Sequence, residues 1–553
     1  MPAPRPLLQQ PIVRGALGAL LLSLYATPAS ALTLAGEAAQ DLKATELAAN
    51  LGGPTDAVEL PDGRVVVLEK GGNVKTFTPG MDDPAVDKVT VVTDNQNEQG
   101  LLGIVADPDF ATNHYIYIYG SVVQDAANRH QVRRYTLGDD GKLSAMKPVI
   151  DMGLMGPANH NGGGLSIYDG YLFVGVGDTG KNNATPHNHI GSCLNLANGK
   201  ILRVKLADDT SLGQPADDNP LMAVDMVSGC DTSSSNDDNP FVMRPPEKRV
   251  YAWGFRNPFR LWADPVTGKL WVGDVGEASR EEISVVEKGK HYGYPFEEGT
   301  KKYSNTDQEF QPVGTCMGMT PASPCVAPIT DYDTKAAPTG KGSVMAGRIL
   351  DGCGWPDKWR SRFIFGDHEQ GKIWSIDVNA TRDGMVAGSQ KDFATANGVT
   401  AMHFGTDNAL YVVEYSAGKV TRVTANAAPE ATPGSCPAVG PGRPGGVGGM
   451  GNGGSAGSAS GGAAAGSGAA AGASTGGAGG TPSAGGSVSA TGGSSGASNG
   501  VAGSAAGSSA GPNTDDSGCG CRMAGGRAPA ALGLAALTAA LGLVLGRRRA
   551  RRS

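Results

Sequence analysis

From residue 57 onward one phrase of apolar and polar positions recurs along the chain. An apolar strand meets a turn of Asp, Gly or Asn, a second apolar strand follows, and a Gly precedes a third. One copy runs Ala57-Val58-Glu59-Leu60, turns at Pro61-Asp62-Gly63, continues Val65-Val66-Val67-Leu68, and after Gly72 gives Val74-Lys75-Thr76-Phe77. Further copies occupy Leu165–Val176 with Gly199–Val204, Leu261–Val272 with Glu282–Val286, and Met402–Val423. Short apolar runs rich in β-branched and aromatic residues, separated by tight-turn residues, predict antiparallel meanders. No helical periodicity of comparable length interrupts them. A meander of this size cannot bury its own face, so the copies are expected to stack radially as a β-propeller. A β-sandwich array explains the repeated phrase less well. The irregular spacing predicts long loops between some strands.

The two ends follow different rules. Arg5 and Arg14 precede an apolar run, Ala16–Ala26, and Ala29-Ser30-Ala31 offers small residues for cleavage. This is the layout of a secretory signal peptide over residues 1–31, with export as its consequence. At the other end, Ala528–Leu545 is apolar and stops at Arg547-Arg548-Arg549-Ala550-Arg551-Arg552. That order predicts a transmembrane helix with a basic tail, and hence anchoring to a membrane or cell envelope. Residues 429–518, above all Ala438–Ser517, are almost entirely Gly, Ala and Ser. Such a stretch lacks the apolar surface to fold and is expected to be a flexible tether reaching on the order of 50 Å. The folded domain is thus placed at 32–428, and the terminal segment at 519–553.

Composition changes this picture in two respects. The formal net charge of −7 argues against a general nucleic-acid partner. Six cysteines fall in or beside the domain: Cys193, Cys230, Cys316, Cys325, Cys353 and Cys436. An even number in an exported chain predicts disulfides, with the close pair Cys316 and Cys325 the simplest pairing among many. Nothing has the paired short spacing of a zinc site.

Propellers carry function on loops at one end of the channel. The most unusual loop is Asn159-His160-Asn161-Gly162-Gly163-Gly164, followed one hairpin later by Gly177-Asp178-Thr179-Gly180. A hairpin of that length returns Asp178 toward His160. A carboxylate accepting from one imidazole nitrogen makes the other a better base. The phrases Asp217-Asp218-Asn219-Pro220 and Asp237-Asp238-Asn239-Pro240 lack the spacing of a calcium loop and read as solvated turns.

Four ordered motifs now carry a resemblance: Gly100-Leu101-Leu102-Gly103 with Asp107-Pro108-Asp109-Phe110, the His160 loop, Gly199–Val204, and Gly254-Phe255-Arg256-Asn257-Pro258. Gly273-Asp274-Val275-Gly276, Glu281-Glu282 and Lys290–Pro295 continue it. Over roughly residues 51–423 the chain resembles the glucose/sorbosone dehydrogenases, that is, soluble quinoprotein glucose dehydrogenases and aldose sugar dehydrogenases. The resemblance implies six blades, the cofactor pyrroloquinoline quinone (PQQ) and calcium. It implies oxidation of an aldose at its anomeric carbon to a lactone, with an electron acceptor it does not name. The family's base maps on His160, its orienting aspartate on Asp178, and its Arg-Asn pair on Arg256 and Asn257. Cofactor contacts map on Glu98, Gln99, Asn159 and Asn183, and calcium-binding backbone carbonyls on Gly276 and Glu277. Separately, Cys519-Gly520-Cys521 before the apolar run and Arg cluster resembles the myxobacterial C-terminal sorting signal, which implies processing near the cysteines and retention at the surface.

The chain also departs from the family. Glu98 stands where the glucose enzymes have a glutamine, and Asn183 where they have a second. Their lysine and two arginines for the quinone carboxylates find no counterpart in Gly366–Gly371 or Gly398–Met402. Propellers of the hedgehog-interacting type share the architecture without quinone chemistry, so the alternative is a non-catalytic binding module. A lactonase-type hydrolase fits less well, because its calcium is held by side chains around the channel.

Overall fold

The structure is a computed structural model. It describes residues 32–426 apart from 92–97, 125–126, 155–158, 181–188, 230–241, 278, 303–324, 335–339 and 353. Each repeat of the sequence phrase becomes one antiparallel sheet. The first blade pairs Pro54–Glu59, Val65–Glu69, Asn73–Phe77 and Ala85–Lys88 in chain order. The third, fourth and sixth blades begin with Leu165–Tyr168, Pro258–Ala263 and Val399–Phe404, as the phrase predicts. The second and fifth begin with Leu101–Ala106 and Val344–Leu350 and were not marked by the repeat. The six first strands pack in sequence around a central axis, and the last returns to the first. The molecule is therefore a six-bladed β-propeller.

Local chemistry sets the turns. Tyr168 and Tyr171 are opposite partners, so Asp169-Gly170 is a two-residue hairpin loop. Both residues have positive φ, 51° and 77°, which matches the twist of the flanking strands and explains the Asp-Gly pair. The expected long insertions are real. They fall between Lys200–Lys205 and Val250–Trp253, and between Arg280–Val286 and Thr330–Asp333.

Closure comes from the N-terminal segment. Leu42–Ala48 forms the outermost strand of the last blade by pairing with Lys419–Ala425, Leu42 opposite Ala425. Thr33–Leu34 adds a fifth strand to the fifth blade. Both ends of the domain are thus held in adjacent sheets, and the ring has no open edge at its seam.

Apolar faces of neighbouring blades interdigitate. The largest buried cluster joins the fourth, fifth and sixth blades around Trp271, Trp355, Trp359 and Phe363. Trp271 and Phe363 pack with ring centroids 4.4 Å apart and planes tilted by 31°. Cys193 and Cys325 are both disulfide-bonded, while Cys230, Cys316, Cys353 and Cys436 lie outside the described residues.

The expected transmembrane helix is corrected. A span needs about 20 apolar residues in one helix, whereas the described chain places its apolar residues in strands of at most 12. Among the described residues the α-helices are single turns, Ala38–Asp41 and Phe110–Asn113, and no helix is long and apolar enough to cross a membrane. The apolar run 528–545, like the signal segment 1–31 and the Gly/Ala/Ser-rich stretch, lies outside the described residues. The described fold is all-β, and among the described residues no helix supports a membrane partner or anchoring through the tail.

Removing the inter-blade wedge tests this packing. Trp271→Ala is expected to lower the unfolding free energy by about 3–5 kcal/mol. Chemical denaturation would read this as a lower midpoint at unchanged slope, and a loss below about 1 kcal/mol would contradict it.

Candidate active site

The sequence-predicted residues gather where the first strands of the second, third and fourth blades begin. Glu98 and Gln99 precede Leu101–Ala106, Asn159–Gly164 precedes Leu165–Tyr168, and Arg256-Asn257 precedes Pro258–Ala263. Three distant segments therefore meet at one mouth of the channel. Their cross-links run from side chains to backbone N–H groups and, in one case, between side chains. Glu98 Oε2 accepts from Asn161 N at 3.0 Å and lies 3.5 Å from Asn257 Nδ2. Asn257 Oδ1 accepts from Gly162 N at 2.9 Å.

His160 sits in this lattice with a left-handed backbone, φ 53°. It is held there because its carbonyl accepts from Thr179 N at 3.0 Å. Gly177 passes so close that a Cβ on it would lie 1.9 Å from the His160 carbonyl oxygen, so no other residue fits. The hairpin brings Asp178 to His160, with Nδ1 2.6 Å from Asp178 Oδ1. The same oxygen accepts from Gly180 N at 2.7 Å, and both side chains are buried. A carboxylate partner makes Nδ1 the protonated nitrogen and leaves the lone pair on Nε2. Nε2 is buried without a hydrogen-bond partner, and so is Glu98 Oε1. Buried polar atoms are normally paired, so two orphans in one cluster mark a place for a ligand.

Arg256 lies beneath, fully buried, donating from Nη1 to the carbonyls of Val275 at 3.1 Å and Gly276 at 2.7 Å. Burial opposes its charge, but Tyr294, Glu277, Asp178 and Glu298 around it hold the guanidinium protonated beyond its usual range. Glu98 shows the opposite balance. Burial pushes its carboxyl up, and His160, the Asn161 N–H and Arg256 offset this only in part.

Asp274, in the motif Gly273-Asp274-Val275-Gly276, is a contributor whose role the sequence pattern does not reveal. Its two oxygens accept from Arg256 N at 3.1 Å and Asn257 N at 2.7 Å, fixing the Arg-Asn pair in place. Burial raises it to about 7. Lys200 and His291, in the motifs Gly199–Val204 and Lys290–Pro295, also act through packing that the pattern does not reveal. Buried Lys200 donates to the carbonyls of Ile190, Gly191 and Asn198, and His291 pairs with Ser192 at 2.8 Å. Both brace the loop that follows Asp178. Lys70, buried against Gly100, is a cation beside the Glu98 loop that no motif signalled.

Other assignments find less support in the geometry. Gln99 is buried and Asn159 half-buried beside the cluster, while Asn183 lies outside the described residues. Among the described residues no group of three or more His, Cys, Asp or Glu could hold a metal. Calcium here would rely on the Gly276 and Glu277 carbonyls, and that of Gly276 already accepts from Arg256. On the far wall, His368 is buried with Nδ1 against the Val399 carbonyl at 3.1 Å, and burial lowers its pKa. Thr400 Oγ1 bonds the Pro54 carbonyl at 3.2 Å. Neither stretch supplies a cation. Asp217 and Asp218 pair with Lys205, Arg203 and Lys288 at the surface, as solvated turns do.

The family model described as Glucose / Sorbosone dehydrogenase matches residues 51–229 and 226–422. An uncharacterized protein of Synechocystis is 30% identical over 337 residues, 56% of this chain and 74% of its own length. An aldose sugar dehydrogenase of Escherichia coli is 29% identical, over 43% of this chain and 57% of its own length. Quinoprotein glucose dehydrogenase B of Acinetobacter calcoaceticus is 28% identical, over 46% and 52%. The chain therefore spans little more than half the length of the last two relatives. Among solved structures, the PQQ-bound aldose sugar dehydrogenase of Streptomyces coelicolor superposes with a TM-score of 0.51 at 19% identity, covering 70% of this chain and 98% of that one. The apo-form aldose sugar dehydrogenase of Escherichia coli gives 0.53 at 21%, covering 69% and 99%. These likenesses establish the fold.

The acids around the mouth make stability depend on pH. Burial, reinforced by neighbouring Asp367 and Asp274 respectively, pushes Glu281 and Glu282 well above their usual range, alongside Asp274 at about 7. A folded pKa above the unfolded one means stability that is present at low pH and lost as pH rises through the folded value. Without divalent metal, the Tm is expected to fall as pH is raised through about 7. Glu282→Gln, which keeps an acceptor for the Gly299 N–H, should flatten that slope, and an unchanged slope would contradict the assignment.

Proposed function

The chain belongs to the glucose/sorbosone dehydrogenase family, and on that footing we propose that it oxidises an aldose at the anomeric carbon to a lactone in a PQQ-dependent reaction. The observation that carries this reading is the His160–Asp178 pair at 2.6 Å, with Nε2 buried and unpartnered. The residues present fit the quinone at the Glu98, His160 and Arg256 side of the mouth, where the orphaned polar atoms lie. PQQ, when bound, supplies the two-electron acceptor for the hydride leaving the sugar carbon.

The chain's own part is acid–base and positional. His160 Nε2 takes the proton of the anomeric hydroxyl, and Asp178 holds the ring in the required tautomer while stabilising the imidazolium that forms. Arg256 and Asn257, clamped by Asp274, place a fixed cation and an amide under the site, where low dielectric strengthens them. Glu98, its pKa raised by burial, leaves Oε1 unpartnered at the position of the family's glutamine and offers it as a polar contact to the ligand. The Gly276 and Glu277 carbonyls are the proposed calcium ligands, and no step is derived through that ion.

A second reading, a binding propeller without quinone chemistry, is favoured by the far wall, where buried His368 and Thr400 stand in place of cations. Losing charge-assisted contacts to three carboxylates weakens quinone binding.

One experiment separates the two. The full chain is titrated with PQQ and calcium, bound absorbance is followed, and dye reduction is measured with a panel of aldoses. Stoichiometric binding and sugar-dependent turnover are expected. In His160→Ala, kcat should fall roughly 10²–10⁴-fold with quinone still bound. Absence of binding at micromolar quinone would leave the binding module instead.

A further inference from the structure

The opposite mouth of the channel is also built as a site. All six first strands contribute to a mixed apolar and polar funnel there: Val58, Ile104, Ile167, Trp262, Arg348 and His403 are among its walls. The cavity is about 120 Å³, well below the roughly 300–1,000 Å³ of pockets for drug-sized ligands. Only a small molecule fits.

Its arginine reaches the nearest acid, Asp56, only through His403. Arg348 is only 9% exposed and makes no ion pair among the described residues. It donates from Nη1 to the Gly347 carbonyl at 3.1 Å and from Nη2 to His403 Nδ1 at 2.7 Å. Because a guanidinium only donates, His403 Nδ1 must be the acceptor, and the ring is neutral with its proton on Nε2. That Nε2–H is directed to Asp56, whose other oxygen accepts from Ile104 N at 3.0 Å. Asp56, the one acid of this cluster, is thus engaged by neutral His403 rather than by Arg348. The guanidinium lies 5.7 Å from the centroid of the Trp262 ring, so an aromatic face is already set beside it. Burial and neighbouring Arg260 lower Arg348 to about 9, against the pull of Asp56.

We infer that this mouth binds a small apolar monocarboxylate, its carboxylate on Arg348 and its hydrocarbon part against Trp262, Ile104 and Leu165. A planar fork suits a carboxylate, and a charge-assisted pair in this dry setting is stronger than one at the surface. The apolar part of the lining, Val58, Ile104, Leu165 and Trp262, favours a ligand with a hydrocarbon part over phosphate. Glu59 at the rim, its carboxylate bound by Thr406, disfavours a second negative charge on the ligand. The site uses none of the residues at the catalytic mouth, so it stands or falls independently of the quinone reading.

Benzoate is the probe, with benzamide as its uncharged counterpart and phthalate as its dianion. Isothermal titration of the full chain is expected to show saturable benzoate binding, with benzamide and phthalate at least tenfold weaker. Arg348→Met should weaken benzoate at least tenfold, Arg348→Lys should retain part of the affinity, and His160→Ala should leave it unchanged. Thermal unfolding of each variant separates a binding loss from a folding loss, and Arg348→Lys keeps the test informative if Arg348→Met does not fold. The inference is overturned by the absence of saturable benzoate binding to the unaltered chain, by equal binding of benzamide, or by loss in His160→Ala with retention in Arg348→Met.

Discussion

Everything described above depends on one set of backbone hydrogen bonds, those between Leu42–Ala48 and Lys419–Ala425. A propeller is a ring of sheets that bury their faces only against each other, and an open ring would expose the faces at the seam. By lending its N-terminal strand to the last blade, the chain converts a row of meanders into a closed object. The alignment of the six inner strands follows from that closure. So does the meeting of their starts at one mouth and their ends at the other.

The mouth that carries His160 illustrates what closure makes possible. Glu98, Asn161, Gly162 and Asn257 come from three blades and are tied by hydrogen bonds to one another, not to solvent. Burial makes each bond count and each unpaired group expensive. It raises Glu98, Glu281 and Glu282 and brings Asp274 to about 7. The buried Arg256 at the centre remains charged because acids surround it. On the far wall Asp367 and His368 are buried side by side, and the stretches Gly366–Gly371 and Gly398–Met402 contain no lysine or arginine.

Much of the fold was legible because it is local. The first, third, fourth and sixth blades announce themselves through short apolar strands and Asp-Gly or Asp-Asn turns. The second was hidden by its own geometry. Its strands run to 12 residues with register shifts, and a helical turn replaces the tight turn after Ala106. In the fifth, Val344–Leu350 is buried on both faces, so its pattern does not alternate. The membrane helix expected from the apolar tail found no counterpart among the described residues, where apolar residues serve sheet packing.

The sequence alone determined the relations that lie within one hairpin. Asp178 is 18 positions from His160, and a strand, a two-residue turn and a returning strand bring the pair together whatever the rest of the chain does. Only the tertiary structure decided the relations between blades. Glu98 and Asn257 are 159 positions apart, and Asp56 and His403 are 347 apart. Their meeting requires the ring to close. The tertiary structure also decided which acids are pushed above their usual range and that Arg348 meets Asp56 only through His403, because desolvation belongs to the packed surroundings and not to the residue.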